Sequence, residues 1–137
     1  WIRSTQPDVV LTHDPWKRYR LHPDHRNAGW LALDGIVAAR DPHYFRHHGL
    51  DVHRPKIALL FEADEPDHVE DITSFVDAKV HALLAHTSQF ITTHSIPADD
   101  DGTAAEAFGK RVRDQAEAVG SITGVARGEA FKILSNL

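Results

Sequence analysis

Apolar positions fall along the chain in short blocks of two kinds, continuous runs and runs with helical spacing. Asp8-Val9-Val10-Leu11-Thr12 is β-branched and apolar between Pro7 and a polar stretch, the pattern of a parallel strand buried on both faces. His13 to Leu21 has no apolar period and reads as a loop. Pro23 then occupies a first helical position, and Asp24 to Arg40 carries Ala28, Trp30, Leu31, Leu33, Ile36 and Val37, which predicts a helix apolar on most sides and largely buried. Asp41-Pro42 ends it, and a histidine-rich surface loop is expected up to Pro55. Lys56 to Glu62 repeats the continuous apolar run of a second strand, and Ala63 to Asp71 reads as acidic turn. From Thr73, as N-cap, Val76, Val80, Leu83 and Leu84 recur at steps of three and four. His94 to Gly102 reads as exposed loop. Thr103 and Glu106 match a capping box that opens a helix over Ala104 to Val119, closed by Gly120, and Ala130 to Leu134 is a last strand or short helix.

Strands alternating with helices point to an α/β layer structure, Rossmann-like, with a mostly parallel sheet and flanking helices. Three strand candidates are few for a complete doubly wound sheet. Together with Trp1 at the first position, this makes the C-terminal part of such a domain the expectation, with 1–137 forming one portion of a single domain.

The 137 residues hold 20 Asp plus Glu against 15 Lys plus Arg, with a net charge of −5. No basic run supplies the electrostatic footprint on which nucleic-acid affinity depends, so no nucleic-acid partner is expected. No apolar block approaches the roughly 18 residues of a membrane span, so no membrane partner is expected and a cytoplasmic location is the corresponding reading. The absence of cysteine removes disulfide scaffolds, thiolate zinc fingers and cysteine nucleophiles together. Any metal must then be held by histidine and carboxylate.

In α/β sheets ligands bind beyond the carboxyl ends of the strands. Here that place holds two imidazole–carboxylate clusters on one loop, His13-Asp14-Pro15-Trp16 and His22-Pro23-Asp24-His25. Side chains of a helix lean toward its N-terminus, so His25 in the first turn points back at the crevice as a metal ligand does. His22 reaches the same point, and Asp24 either caps the helix or fixes an imidazole tautomer. His13, at a strand end, is open to a place beside a metal ligand or a plain loop role. Trp16, beside a proline in the loop, is a candidate to flank a substrate ring, and Arg18 and Arg20 are read either as contacts for an anionic substrate group or as exposed loop charge, the more frequent explanation. His43, His47, His48, His53, His68 and His94 read as solvated loop residues, and His81 and His86 lie off a common helix face.

The succession Val9-Val10-Leu11-Thr12-His13-Asp14-Pro15-Trp16, then Leu21-His22-Pro23-Asp24-His25-Arg26 with Ala28-Gly29, resembles the second signature of the LmbE-like, or PIG-L, zinc-dependent N-deacetylases. Asp71-Ile72-Thr73, Lys79, Leu83-Leu84, His86 and Ser88-Gln89 are similar to that family's helix ending in His-x-Ser-Gln. The resemblance runs from about Pro7 to Phe90. It implies zinc as cofactor, His25 as one zinc ligand, His22 as the group that stabilises the oxyanion or serves as an acid, and Asp24 as its orienting carboxylate. The family's other two ligands and its general-base aspartate lie in an AHPDDE-like motif that these residues lack; Ala98 to Asp101 has no leading histidine and follows HPDH instead of preceding it. The implied reaction is removal of an acetyl group from an N-acetylglucosamine-type sugar or related small amide. An N-terminal segment would supply the missing groups, and homo-oligomerisation is left open. The competing reading is a non-catalytic LmbE-like binding or assembly module with an incomplete metal site. A nucleotide-binding domain is remoter still, since neither GxGxxG nor GxxxxGK[ST] occurs.

Overall fold

A computed structural model of the protein describes residues 1–137. Its elements are α1 (Ile2–Thr5), β1 (Val9–His13), α2 (Pro23–Arg40), β2 (Ile57–Phe61), β3 (His68–Asp71), α3 (Val76–Leu84), α4 (Thr103–Thr123) and β4 (Gly128–Ser135). The α/β class is as expected. The sheet has the order β1-β2-β4-β3, with β1 and β2 parallel and β4 antiparallel to β2. No helix is long and apolar enough to cross a membrane. The chain divides into two compact units, Trp1–His68 with Ala130–Leu137, and Val69–Glu129.

In the first unit β2 is flanked by β1 and β4, which is why its unbroken apolar run Ala58-Leu59-Leu60 is wholly buried. Ala58 and Leu60 meet Ile36 of α2, and Ile2, Val10, Leu33 and Leu134 close around them. Removing a side chain such as Leu60 costs about 2–5 kcal/mol in a setting of this kind. Within residues 1–137 Thr12 is buried and Val10 faces the core, while Leu11 is 58% exposed. Among these residues β1 stands at the end of the sheet order, with β2 as its one partner. α2 shows the same division. It buries Gly29, Ile36 and Ala39, while Leu31 is 76% exposed. Arg3, buried beside the helix end, donates to the carbonyls of Ala38, Ala39, Asp41 and Tyr44, so that carbonyl groups left without intrahelical partners are satisfied by one guanidinium.

In the second unit α3 packs on α4. Gly109 lets them approach, since a Cβ there would stand 3.1 Å from Val80. The helix starts differ from those expected. Thr73 does not cap α3, because its hydroxyl accepts from the Arg127 amide and the N-cap is Phe75. No capping box forms at Thr103; Gly102 is the N-cap, and the Asp100 carboxylate takes the free amides of Ala104 and Ala105. Gly120 lies within α4, whose end is Gly124 in the left-handed conformation. β3 falls in a stretch read as turn. His94 is not a surface residue: it is 5% exposed, its ring 4.3 Å from that of Phe108, with Nδ1 unpartnered. Ile96 beside it is buried as well, so the start of the expected loop is interior.

Between β2 and β3 the carboxylate of Asp67 accepts from Lys132 and from the amide of Ile133, pinning the turn to β4. These bonds hold its pKa below the ordinary aspartate value. A carboxyl depressed in the folded state stabilises above its unfolded pKa and loses that contribution as pH falls through the carboxylate range. Asp67→Asn is therefore expected to unfold at lower temperature than wild type at neutral pH and to converge with it in acid, as thermal melts across pH will show.

Candidate metal and catalytic site

The site forms where two parallel strands end side by side. Register pairs His13 with Phe61, so the residue following β2, Glu62, emerges next to the His13 ring. Glu62 Oε2 lies 3.3 Å from His13 Nδ1. The edge of Phe61 meets the His13 ring at 4.4 Å. Glu62 adopts φ +58, left-handed backbone that a non-glycine residue takes at a cost of order 1–3 kcal/mol. Its carbonyl is held by Lys17 at 2.7 Å.

The loop after β1 folds back onto the same corner. The buried Asp14 accepts from the Trp16 amide, and the Arg18 amide donates to Asp64, tying the outgoing chain to the turn after β2. Arg20 consequently enters between the strand ends. Its Nη2 donates to Glu62 Oε2 at 2.7 Å, and its Nη1 lies 2.8 Å from His13 Nδ1 and 3.2 Å from His25 Nδ1. The side chain is only 7% exposed. Arg20 was expected to offer its guanidinium to substrate; the structure engages it instead with three partners of its own chain.

At the start of α2, His22 is the N-cap, and its Nδ1 accepts from the Asp24 amide at 3.3 Å. This corrects the assignment of the cap to Asp24, whose exposed carboxylate lies 4.0 Å from His22 Nδ1. With Nδ1 accepting, the neutral His22 ring carries its proton on Nε2 and can donate from there. His25, one turn along, stacks on His13 with centroids 4.3 Å apart and planes 12° from parallel, and lies 5.0 Å from the His22 ring. Trp16 remains 55% exposed, its ring edge 5.0 Å from Trp30, and borders a cleft of about 350 Å³ with Asp14, Arg18, Asp64 and Lys132.

The electrostatics follow from this crowding. Burial lowers the His13 pKa, and the neighbouring His25 and Arg20 charges add to that effect, outweighing the attraction of Glu62. Partial burial would raise the Glu62 pKa, but the Arg20 hydrogen bond and charge prevail and hold it below the ordinary glutamate value. The corner is therefore a neutral imidazole and a carboxylate facing a guanidinium. Donor atoms of His13, His25 and Glu62 all lie within 4.8 Å of one another, and the three residues form a group able to hold a metal. Sequence reading brought out His22, Asp24 and His25 and left Glu62 aside. The usable signal was there: two apolar runs of parallel-strand type end at His13 and at Glu62.

Gly29 sets how closely α2 approaches the loop. A Cβ at this position would lie 2.5 Å from the His13 carbonyl oxygen and 3.0 Å from Pro15 Cβ. Gly29→Ala is expected to cost about 1–3 kcal/mol, as overpacking does. It should also shift the His13 and His25 imidazole resonances, whereas Gly35→Ala, with 3.4 Å to Ile2, should leave them in place; NMR spectra of both variants check this.

No family model matches the chain. Diacetylchitobiose deacetylase of Thermococcus kodakarensis is 36% identical over 92 residues, covering 65% of this chain and 34% of that protein. The 1D-myo-inositol 2-acetamido-2-deoxy-alpha-D-glucopyranoside deacetylase of Segniliparus rotundus is 33% identical over 129 residues, covering 71% and 40%. Among solved structures, the N,N'-diacetylchitobiose deacetylase of Pyrococcus horikoshii aligns with a TM-score of 0.76 and 31% identity over 98% of this chain and 48% of that one. The conserved protein TT1542 of Thermus thermophilus, 23% identical with a TM-score of 0.67, shares the fold. The chain spans less than half the length of the two curated relatives and of the Pyrococcus enzyme. These likenesses to named deacetylases are consistent with the LmbE-like resemblance carried by the HPDH segment.

Proposed function

We propose that residues 1–137 form the C-terminal part of a zinc-dependent N-deacetylase acting on an N-acetylglucosamine-type sugar, with His25 as a zinc ligand and further ligands and a general base supplied from outside these residues. The observation that carries this reading is the convergence of the HPDH segment and two strand ends on one corner: His25, His13 and Glu62 present donor atoms within 4.8 Å, and His22 stands beside them. Imidazole and carboxylate suit zinc, and a guanidinium already fills the place of a cation among them. The names of the similar proteins supply the substrate class.

Zinc bound at such a corner acts as a Lewis acid and brings the pKa of water to about 7. His22 contributes an Nε2–H donor to the oxyanion that develops from the acetamide carbonyl. Its ring is fixed for this by the helix amide on Nδ1, so donation requires no reorientation. Asp24, whose carboxylate lies 4.0 Å from Nδ1, is the group that would orient the ring. Trp16 at the cleft offers an apolar face to a sugar ring.

The test is acetate release from N,N'-diacetylchitobiose, with zinc content measured in parallel, on a protein extended upstream to the length of its relatives. His25→Ala should lose both zinc and turnover. His22→Ala should keep zinc and lose a factor of about a hundred or more in turnover, the usual consequence of removing one oxyanion donor. Zinc content and turnover equal to wild type in His25→Ala would overturn the reading.

A further inference from the structure

We propose that the cleft beside Trp16 is a subsite for an amino-sugar ring carrying a free ammonium group, anchored by the carboxylate of Asp14. The binding stands on the cleft alone. Its place in the reaction rests on the deacetylase reading, because N-deacetylation is what turns a neutral acetamide into such a group.

Asp14 is the first support. Its amide donates to the Phe61 carbonyl, which carries the pairing of β1 with β2 one residue past the strand and fixes where the side chain starts. One carboxylate oxygen accepts from the Trp16 amide at 2.9 Å. The other has no hydrogen-bond partner in the protein, yet it is not sealed off, since the one side-chain atom both buried and unsatisfied is His94 Nδ1. It therefore opens onto the cleft that Asp14 lines. The residue is 7% exposed, and no ion pair of the chain includes it. A carboxylate is seldom buried to this degree without a cationic partner.

The other charges around the cleft are already engaged. Asp64 is held by Lys17 and Arg18, at 3.9 and 3.7 Å, and by the Arg18 amide at 2.8 Å. Lys132 pairs with Asp67. Asp14 and the exposed Glu65 are thus the lining groups without a countercharge, and what they call for is a cation that donates hydrogen bonds. A primary ammonium meets both conditions.

The walls specify a ring. Trp16 is 55% exposed, and Trp30 props its indole at 5.0 Å, so an aromatic face is held still beside Asp14. Such a face packs against the C–H side of a pyranose and attracts a nearby ammonium group. The cleft measures about 350 Å³, at the small end of ligand pockets, which run from about 300 to 1,000 Å³, and so has room for a single ring. The loop that carries Asp14 and Trp16 runs on to His22 and His25, which makes a ring in the cleft the neighbour of the one losing its acetyl group. A partly deacetylated oligosaccharide, with one ring already an amine and the next still acetylated, is the substrate class that suits both places.

The experiment titrates the 137-residue chain with glucosamine, N-acetylglucosamine and glucose at mildly acid pH, where the amine is cationic, following indole fluorescence and amide chemical shifts. Glucosamine should bind in the millimolar range, about tenfold or more tighter than the other two. Asp14→Asn keeps an oxygen for the Trp16 amide but loses the charge, and should bind all three sugars alike. Trp16→Leu, followed by chemical shifts, should weaken binding of each several-fold. Asp51→Asn, which removes an exposed carboxylate outside the cleft lining, should match wild type. No binding of glucosamine, equal affinity of wild type for the three sugars, or a glucosamine preference that survives in Asp14→Asn overturns the proposal. The three-sugar comparison on wild type decides the matter even if the Asn variant does not fold. Normal acetate release by the extended protein with no glucosamine preference sinks the subsite alone, and a preference without acetate release sinks the deacetylase reading and the subsite's place in it, leaving the binding.

Discussion

Parallel pairing of Val9–His13 with Ile57–Phe61 is the constraint from which the chemistry of the first unit descends. Parallel strands finish at the same end of a sheet, so a histidine closing one and a glutamate following the other become neighbours without being near in sequence. The buried run of β2 holds the register in place: slipping by one residue would turn Ala58 and Leu60 away from Ile36. The sheet core and the site are thus fixed by the same pairing, and the loop from Asp14 to Arg20 has only to be tied down at Asp64 to deliver a charge between the strand ends.

How much of this was legible follows from which interactions are local. The strand at Ile57–Phe61, the helix from Pro23 and the placement of HPDH at a strand-to-helix junction are local patterns, and each stands close to where the spacing puts it. For β1 and α2, apolar composition states what a segment can bury, not what residues 1–137 supply to cover it; Leu11 and Leu31 show the difference. The helix caps failed for another reason. The Thr73 hydroxyl is taken by the Arg127 amide, a tertiary contact, and at the start of α4 the carboxylate of Asp100 takes the amides expected to be served from Thr103.

The candidate site divides along the same line. His22 and His25 belong to one contiguous motif and could be read from it. His13 could be placed only at a strand end, and Glu62 needed the pairing of two segments nearly fifty residues apart. Arg20 looked like an open substrate contact because the residues that engage it are distributed over three elements. His94 makes the parallel point for the second unit, since a histidine amid polar neighbours gives no local sign that Phe108 will cover it.

Glu62 carries a consequence of its own. Its left-handed backbone is one that glycine adopts freely, yet glycine would forfeit the carboxylate that Arg20 holds, so strain in the turn is set against an ion pair at the sheet corner. Whatever lineage retains glutamate there is tolerating backbone discomfort in return for an anionic side chain.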